Sequence, residues 1–415
     1  MLNRPRPSSI IFLLLLLLSF GSSTSLRAQS KQQKPTSTPG DAKKNNRPSD
    51  ADIKKAEEEK RRQEEEKNTI VDDTVEKITT QIVSLDAVVI NKKTGQIVNG
   101  LKKENFAVFE NGVKQDISSF ATPDSPITVS LVVEFSKWTE IFGSAAGGAW
   151  EPGTYEVIRP VSQFVSRFIK PPGDYASIIA FDIRPTPITD FTNDPRRLDA
   201  AVNILLRNQP AFRENNMFDA IKFALIGGKA DSVVLENSKE RTSEYGGMID
   251  VRSKRRAIIL VASGIDTFSR TNYDQVRRII QEAGVPIYII STGNLFYKRY
   301  ESYLPALDDI TGAPGRLTFL QAQNTMNTLA KESGGVHYSM TFEGEVPGYL
   351  QNINAMLRSQ YSLAYDLGDK HEAGKKYKIE IKVDVDGDGV YEDKAYVIQH
   401  KPFFSLPKAP TEKKK

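Results

Sequence analysis

Cysteine is absent from all 415 residues, and histidine occurs only three times. The first absence excludes disulfides, thiolate zinc sites, iron–sulfur clusters, a cysteine nucleophile and a lipidated N-terminal cysteine. The second leaves little material for a histidine-rich metal centre or a buried histidine relay. Excess charge of one sign is lacking too: 56 Lys and Arg against 52 Asp and Glu leave +4, too little for an electrostatic nucleic-acid binder. No apolar run reaches the ~20 residues that span a bilayer. Catalytic signatures are missing as well: there is no G-x-S-x-G elbow, Walker loop, G-x-G-x-x-G or H-E-x-x-H. His337 sits between Val336 and Tyr338 in a short strand pattern, as a core or edge residue. His371 and His400 fall in loop and tail contexts, and Ser263-Gly264 has no base assignable to it. A non-enzymatic role is expected.

The N-terminus has the order of a secretory signal peptide: Arg4 and Arg6, the nine apolar residues Ile10–Leu18, then small and polar residues to Ala28. Cleavage after Ala28 is expected, with a retained anchor as the alternative; export places the protein outside the cell or in the periplasm or envelope. Residues 29–74 read as a linker, polar at first and then a charged segment at 53–67 with six basic and six acidic residues. No apolar seam for a coiled coil is present there.

From residue 75 the texture changes. Ile82–Ile90 alternates as a strand does, and Asn111-Gly112 between two apolar runs is a hairpin signal. A small β segment is expected at 75–124, ending at Pro123-Asp124-Ser125-Pro126. Beyond it, apolar strands at 127–133, 175–181, 257–262 and 286–290 alternate with amphipathic helices near 155–169, 196–206, 217–226, 274–283, 324–332 and 346–358. This alternation predicts an α/β domain over 125–360, with a doubly wound, mostly parallel sheet covered on both faces. Further strand patterns at 361–367, 377–383 and 395–399 predict a β segment at 361–402. It would join the 75–124 strands in a small accessory β unit, leaving 403–415 as a tail.

In a doubly wound sheet, ligands sit beyond the strands' C-terminal ends near the point where strand order reverses. Three loops are selected by that rule: Glu134-Phe135-Ser136-Lys137-Trp138, Arg213–Ala220 and Ala262–Ser269. With these loops, the phrases Gly100-Leu101, Asn105-Phe106, Phe109-Glu110-Asn111-Gly112, Asn216–Ile221 and Leu357–Tyr361 come in an order that resembles a von Willebrand factor A-type domain. The likeness is to the acidobacterial variety, with a β segment ahead and a sheet-like tail behind, and it covers roughly 80–367. The family often holds Mg²⁺ through Asp-x-Ser-x-Ser on the first loop, a Thr on the second and an Asp on the third. The chemistry suits a hard cation that wants octahedral oxygen ligands. Here Glu134 replaces the first Asp, Ser136 is kept, Trp138 replaces the last Ser, Asn215 the Thr and Ser263 the Asp. The resemblance therefore implies a degenerate site, with Glu134, Ser136 and a displaced Asp266 as its remnants and Mg²⁺ not expected. Asp266 reads more simply as a cap of the following helix.

A second acidic pattern, Asp384-Val385-Asp386-Gly387-Asp388-Gly389, matches the first half of a Ca²⁺ loop; Glu392 can supply a fourth ligand. The alternative is a polar hairpin tip. Trp138 and the aromatic and basic stretch Phe296, Tyr297, Arg299 and Tyr300, read as an exposed loop, are the expected partner contacts, with packing of those rings onto their own domain as the alternative. The sequence as a whole predicts an exported binding protein for a protein or surface ligand. A metal-assisted envelope enzyme or accessory subunit, and a structural envelope component, are the alternatives.

Overall fold

The computed structural model describes residues 82–406, apart from 124, 141–152, 230–243, 252, 254, 311–312, 343 and 369–370. The expected leader at 1–28, the linker at 29–74, the chain beyond 406 and most of the polar insertion near 229–254 lie outside the described residues. In chain order the first strands are β1 (Ile82–Asn91), β2 (Phe106–Glu110), β3 (Val113–Gln115) and β4 (Ile117–Ala121). Asn111 (φ 47°) and Gly112 (φ 84°) close the β2–β3 hairpin; the left-handed region suits these two residue types.

There follow β5 (Ile127–Glu134), α1 (Lys137–Glu140), α2 (Gly153–Phe168), β6 (Tyr175–Phe181), β7 (Pro185–Thr192), α3 (Pro195–Arg207), α4 (Met217–Ile226), and the short β8 (Gly227–Lys229) and β9 (Glu244–Gly246). Next are β10 (Arg255–Ala262), α5 (Tyr273–Ala283), β11 (Ile287–Ser291), α6 (Gly293–Tyr300), α7 (Arg316–Ser333), β12 (His337–Ser339) and α8 (Val346–Arg358). The last strands are β13 (Tyr361–Asp366), β14 (Lys376–Val383), β15 (Tyr396–His400) and β16 (Phe403–Ser405). Phe403–Ser405, expected as tail, instead pairs antiparallel with Lys376–Lys378 of β14.

The six-stranded sheet runs β12-β11-β10-β5-β6-β7, parallel throughout except for the edge strand β7. Numbered by sequence within the sheet this is 3-2-1-4-5-6 read from the β7 edge, with the switch point between β5 and β10. Alternation along β5 serves two cores. Ile127, Val129, Leu131 and Val133 pack under α2, α3 and α8, while Val132 faces the core under α4, α5 and α7. Because both faces are covered, every residue of β5 is buried.

Eight of the other strands form two four-stranded sheets, β15-β1-β13-β4 and β16-β14-β2-β3, and β8 pairs with β9 in a two-stranded one. Each four-stranded sheet mixes strands from the two flanks of the α/β region, with β13 between β1 and β4 and β14 between β16 and β2. Their period-two apolar faces share one core, including Val83 and Leu85 from β1, Phe106 and Val108 from β2, and Ile379 and Ile381 from β14. The fully buried Arg255 grips both places where the chain crosses between these sheets and the six-stranded one. Its guanidinium donates to the carbonyls of Pro123 (2.5 Å) and Ser125 (2.6 Å) on the way in, and of Leu357 on the way out.

A buried polar group ties the end of β13 to β2. Glu110 accepts from Tyr365 Oη (2.6 Å) and is hydrogen-bonded to His371 Nε2 (2.6 Å). Desolvation lowers the His371 imidazole, but its hydrogen bonds to Glu110 and the Gly368 carbonyl outweigh this and hold it above the usual value. A folded-state value above the unfolded one gives stability that is complete below the unfolded value and is lost as pH rises through the folded one. We predict that the melting temperature of the native chain exceeds that of His371→Gln most at about pH 6, and that the gap narrows towards about pH 9. A gap that widens with pH contradicts this.

Candidate functional site

The switch point is closed by one carboxylate. Glu134, the last residue of β5, is 1% exposed. Its Oε1 accepts from Ser136 Oγ (2.5 Å) and Asn215 Nδ2 (3.1 Å), and its Oε2 from the Ser263 backbone N–H (2.6 Å). One donor thus comes from each of the three loops that the sheet topology selects. Burial pushes the Glu134 carboxyl up, and the hydrogen bonds from Ser136, Ser263 and Asn215 oppose that shift.

Backbone bonds hold the same loops in register. Lys137 N–H donates to the Phe212 carbonyl (2.8 Å), and Thr267 and Phe268 N–H both donate to the Asn215 carbonyl (3.0 and 2.8 Å). At the start of α6, Thr292 N–H bonds the Ala262 carbonyl (2.9 Å), and a Cβ on Gly293 would meet the Ser263 carbonyl oxygen at 2.1 Å. Only glycine lets that helix approach so closely.

A hydroxyl, an amide NH₂ and a backbone N–H converge on the one carboxylate, whose lone pairs are engaged by them in this arrangement. Asp266 does not join Glu134. Its Oδ2 accepts from Phe218 N–H (2.8 Å) and Ser269 Oγ (2.6 Å), and its Oδ1 from Ser269 N–H (3.2 Å). It caps α4, a helix earlier in the chain. Asn216, the residue in the N-cap position, turns its amide NH₂ to the Ile183 carbonyl instead (3.0 Å).

The expected partner contacts need correction. Trp138 is 4% exposed and Tyr297 8% exposed, and both belong to an apolar cluster with Ile265, Phe319 and Ala322. Trp138 meets Phe296 edge-on at 5.7 Å, Phe296 stacks on Phe319 at 5.1 Å, and Tyr300 lies 4.7 Å from Phe296. The stretch expected as an exposed loop is α6, and its aromatic side seals that helix onto the domain. Arg299 lies on its exposed side.

Sequence reasoning missed Thr292. Its Oγ1, Asn215 Oδ1 and Trp138 Nε1 are buried polar atoms without hydrogen-bond partners among the described residues. A hydroxyl directly after an apolar strand was the available signal.

The acidic loop lies between β14 and β15. One carboxylate oxygen from each of Asp384, Asp386 and Asp388 falls within 4.8 Å of the others. Asp384 also holds the turn, accepting from Gly387 N–H (2.7 Å), Asp388 N–H (3.2 Å) and Gly389 N–H (2.8 Å). Glu392 stands apart from the three, its Oε2 accepting from Val385 N–H (2.8 Å) to close the loop's other side.

No protein-family model matches the chain, and no curated protein matches it. Solved structures similar in fold include a point mutant of the PilB minor pilin of Streptococcus sanguinis (11% identity, 57% of this chain and 62% of that one, TM-score 0.39). Another is proximal thread matrix protein 1 from the mussel byssus (12% identity, 60% and 51%, TM-score 0.37). A third is the vWF domain of the type V pilus tip protein Mfa5 of Porphyromonas gingivalis (12% identity, 56% and 95%, TM-score 0.36). The chain thus spans between half and two thirds of the length of the first two.

Replacing Glu134 by Gln puts an NH₂ where a donor already points. The expected loss of folding stability is about 1–3 kcal/mol for each donor left unmatched, measured by urea denaturation. Trp138→Ala should cost about 3–5 kcal/mol as a packing residue; a loss of binding with stability unchanged would restore it as a contact. The central α/β region is thus a doubly wound six-stranded sheet with an acidic residue closing its switch point.

Proposed function

We propose that the chain is an exported, non-catalytic binding protein of the acidobacterial kind, with the flank sheets as an accessory unit. Its von Willebrand factor A-like domain contacts a protein or surface ligand at the C-terminal edge of the six-stranded sheet. The observation that carries this reading is the saturation of Glu134 by donors from all three loops. The loops are locked to one another by hydrogen bonds, which gives a preformed rim without a cation, and a preformed surface loses less entropy on binding. Burial of Trp138 and Tyr297 supports the same conclusion, because it stiffens the rim from beneath.

Calcium belongs, on this reading, to the loop between β14 and β15. The approach of Asp384, Asp386 and Asp388 supports a weak, extracellular-type site with an affinity of about 10⁻⁴–10⁻³ M. It would rigidify that hairpin and play no part at the switch point.

Two measurements test these statements. Purified chain dialysed against magnesium or manganese should retain neither metal, and crosslinking in the native envelope should recover the same partner with and without EDTA. Bound magnesium that disappears in Glu134→Ala, or recovery of the chain with itself alone, contradicts the proposal. Calcium titration calorimetry should show binding that Asp386→Ala and Asp388→Ala abolish; no heat at millimolar calcium removes the calcium site.

A further inference from the structure

A continuous groove runs from the loop after β6, along the outer side of α4, to the strands β14 and β16. Two adjoining cavities form it, one of about 370 Å³ and one of about 960 Å³, and they share Asp219, Lys222 and Arg270 in their walls. The smaller has apolar walls from Ile183, Pro185, Phe223 and Phe268, the last of these 57% exposed. Asn216 lines the same end and is 3% exposed.

The larger cavity is polar and carries more positive than negative charge. Lys222, Arg270, Arg278 and Lys376 line it, with the charge of Arg278 acting on Glu282 and that of Lys376 on Glu332. Arg277 is there too, but its guanidinium is paired with Glu332. Of the three acids in the wall, Asp219 is tied to the loop, its two oxygens accepting from Arg270 and Thr271 N–H (2.9 and 3.0 Å). Asp219 keeps its charge, so Asp219, Asp274 and Glu282 stand against Lys222, Arg270, Arg278 and Lys376.

We infer that this groove binds an extended acidic peptide segment of a partner protein. An apolar side chain would seat between Pro185, Phe223 and Phe268, and carboxylates would follow along Lys222, Arg270, Arg278 and Lys376. The two halves together select the ligand class. A cationic wall alone suits any polyanion, but the adjoining apolar end with its exposed Phe268 suits an apolar peptide side chain better than an acidic glycan. The inference rests on the proposed binding role and gives it a surface and a partner chemistry.

The test is selection of twelve-residue peptides from a random display library on the full chain, followed by fluorescence anisotropy with the selected peptides and with polygalacturonate. Selected sequences should be rich in Asp and Glu around one aliphatic or aromatic residue. Their binding should weaken about tenfold or more in Lys222→Glu/Arg270→Glu and with rising salt, and also in Phe268→Ala. These three positions are exposed, and an unchanged melting temperature establishes that the variants fold. Neutral or basic selected sequences, binding that survives charge reversal, or polygalacturonate binding more tightly than any peptide overturns the inference. The envelope crosslinking result keeps the broader proposal separate: a recovered partner whose capture is unaffected by Lys222→Glu/Arg270→Glu refutes the groove and leaves the binding role standing.

Discussion

A carboxylate taken out of water must find donors, and Glu134 finds all of its donors in the loops that meet at the switch point. That constraint organises the C-terminal edge of the sheet. It aims Ser136 inward, so that Ser136 Oγ also accepts from Trp138 N–H (3.2 Å) and starts α1. It draws the Asn215 side chain towards β5, and it fixes the first residue after β10. The backbone bonds between the second and third loops and the close approach of Gly293 to Ser263 follow in the same compact region. Trp138, carried on α1, then completes the apolar cluster beneath α6 and α7. One acceptor with three donors thus links the three loops.

The opposite arrangement of charge holds the flank sheets to the α/β domain. Arg255 is a buried donor surrounded by carbonyl acceptors, and it reaches both chain crossings at once. Asp86 on β1 adds its charge nearby; burial pushes its carboxyl up to about 6, against hydrogen bonding by Ser362 and the charges of Arg255 and Arg256. Lys401, between β15 and β16, donates to the Gln281 carbonyl at the end of α5, and Gln399 donates to the Gly334 carbonyl beyond α7 (3.0 Å). The groove proposed for an acidic segment has walls on both sides of this joint, from α4 and α5 to β14 and β16. Its shape therefore depends on the joint staying closed.

Local chemistry was legible in the sequence, and chemistry assembled across distance was not. Asn111-Gly112 announced its turn because positive φ is a property of those two residues alone. The strands of the six-stranded sheet were readable because burial on both faces makes them continuous apolar runs. Trp138 was misread because its burial depends on α6 and α7, which lie more than about 150 residues away in sequence. The α6 segment itself was hidden because its aromatic and basic residues carry no clear helical period; what orders it is packing on Phe319. Asp266 shows the same effect at shorter range: the helix it caps lies behind it in the chain. The departures from the family's metal pattern were visible residue by residue, but not that Ser263 would contribute its backbone N–H.

The central claim is that Glu134 is the shared acceptor that keeps the three loops together, and amide hydrogen exchange tests it most directly. In the native chain, the amides of Trp138, Ser263, Thr267 and Phe268 should exchange slowly in metal-free buffer. In Glu134→Gln all of them should accelerate together, while the amides of the β5–β6 ladder stay protected. Acceleration confined to Trp138, or protection in the native chain that appears only when magnesium is added, would contradict the account.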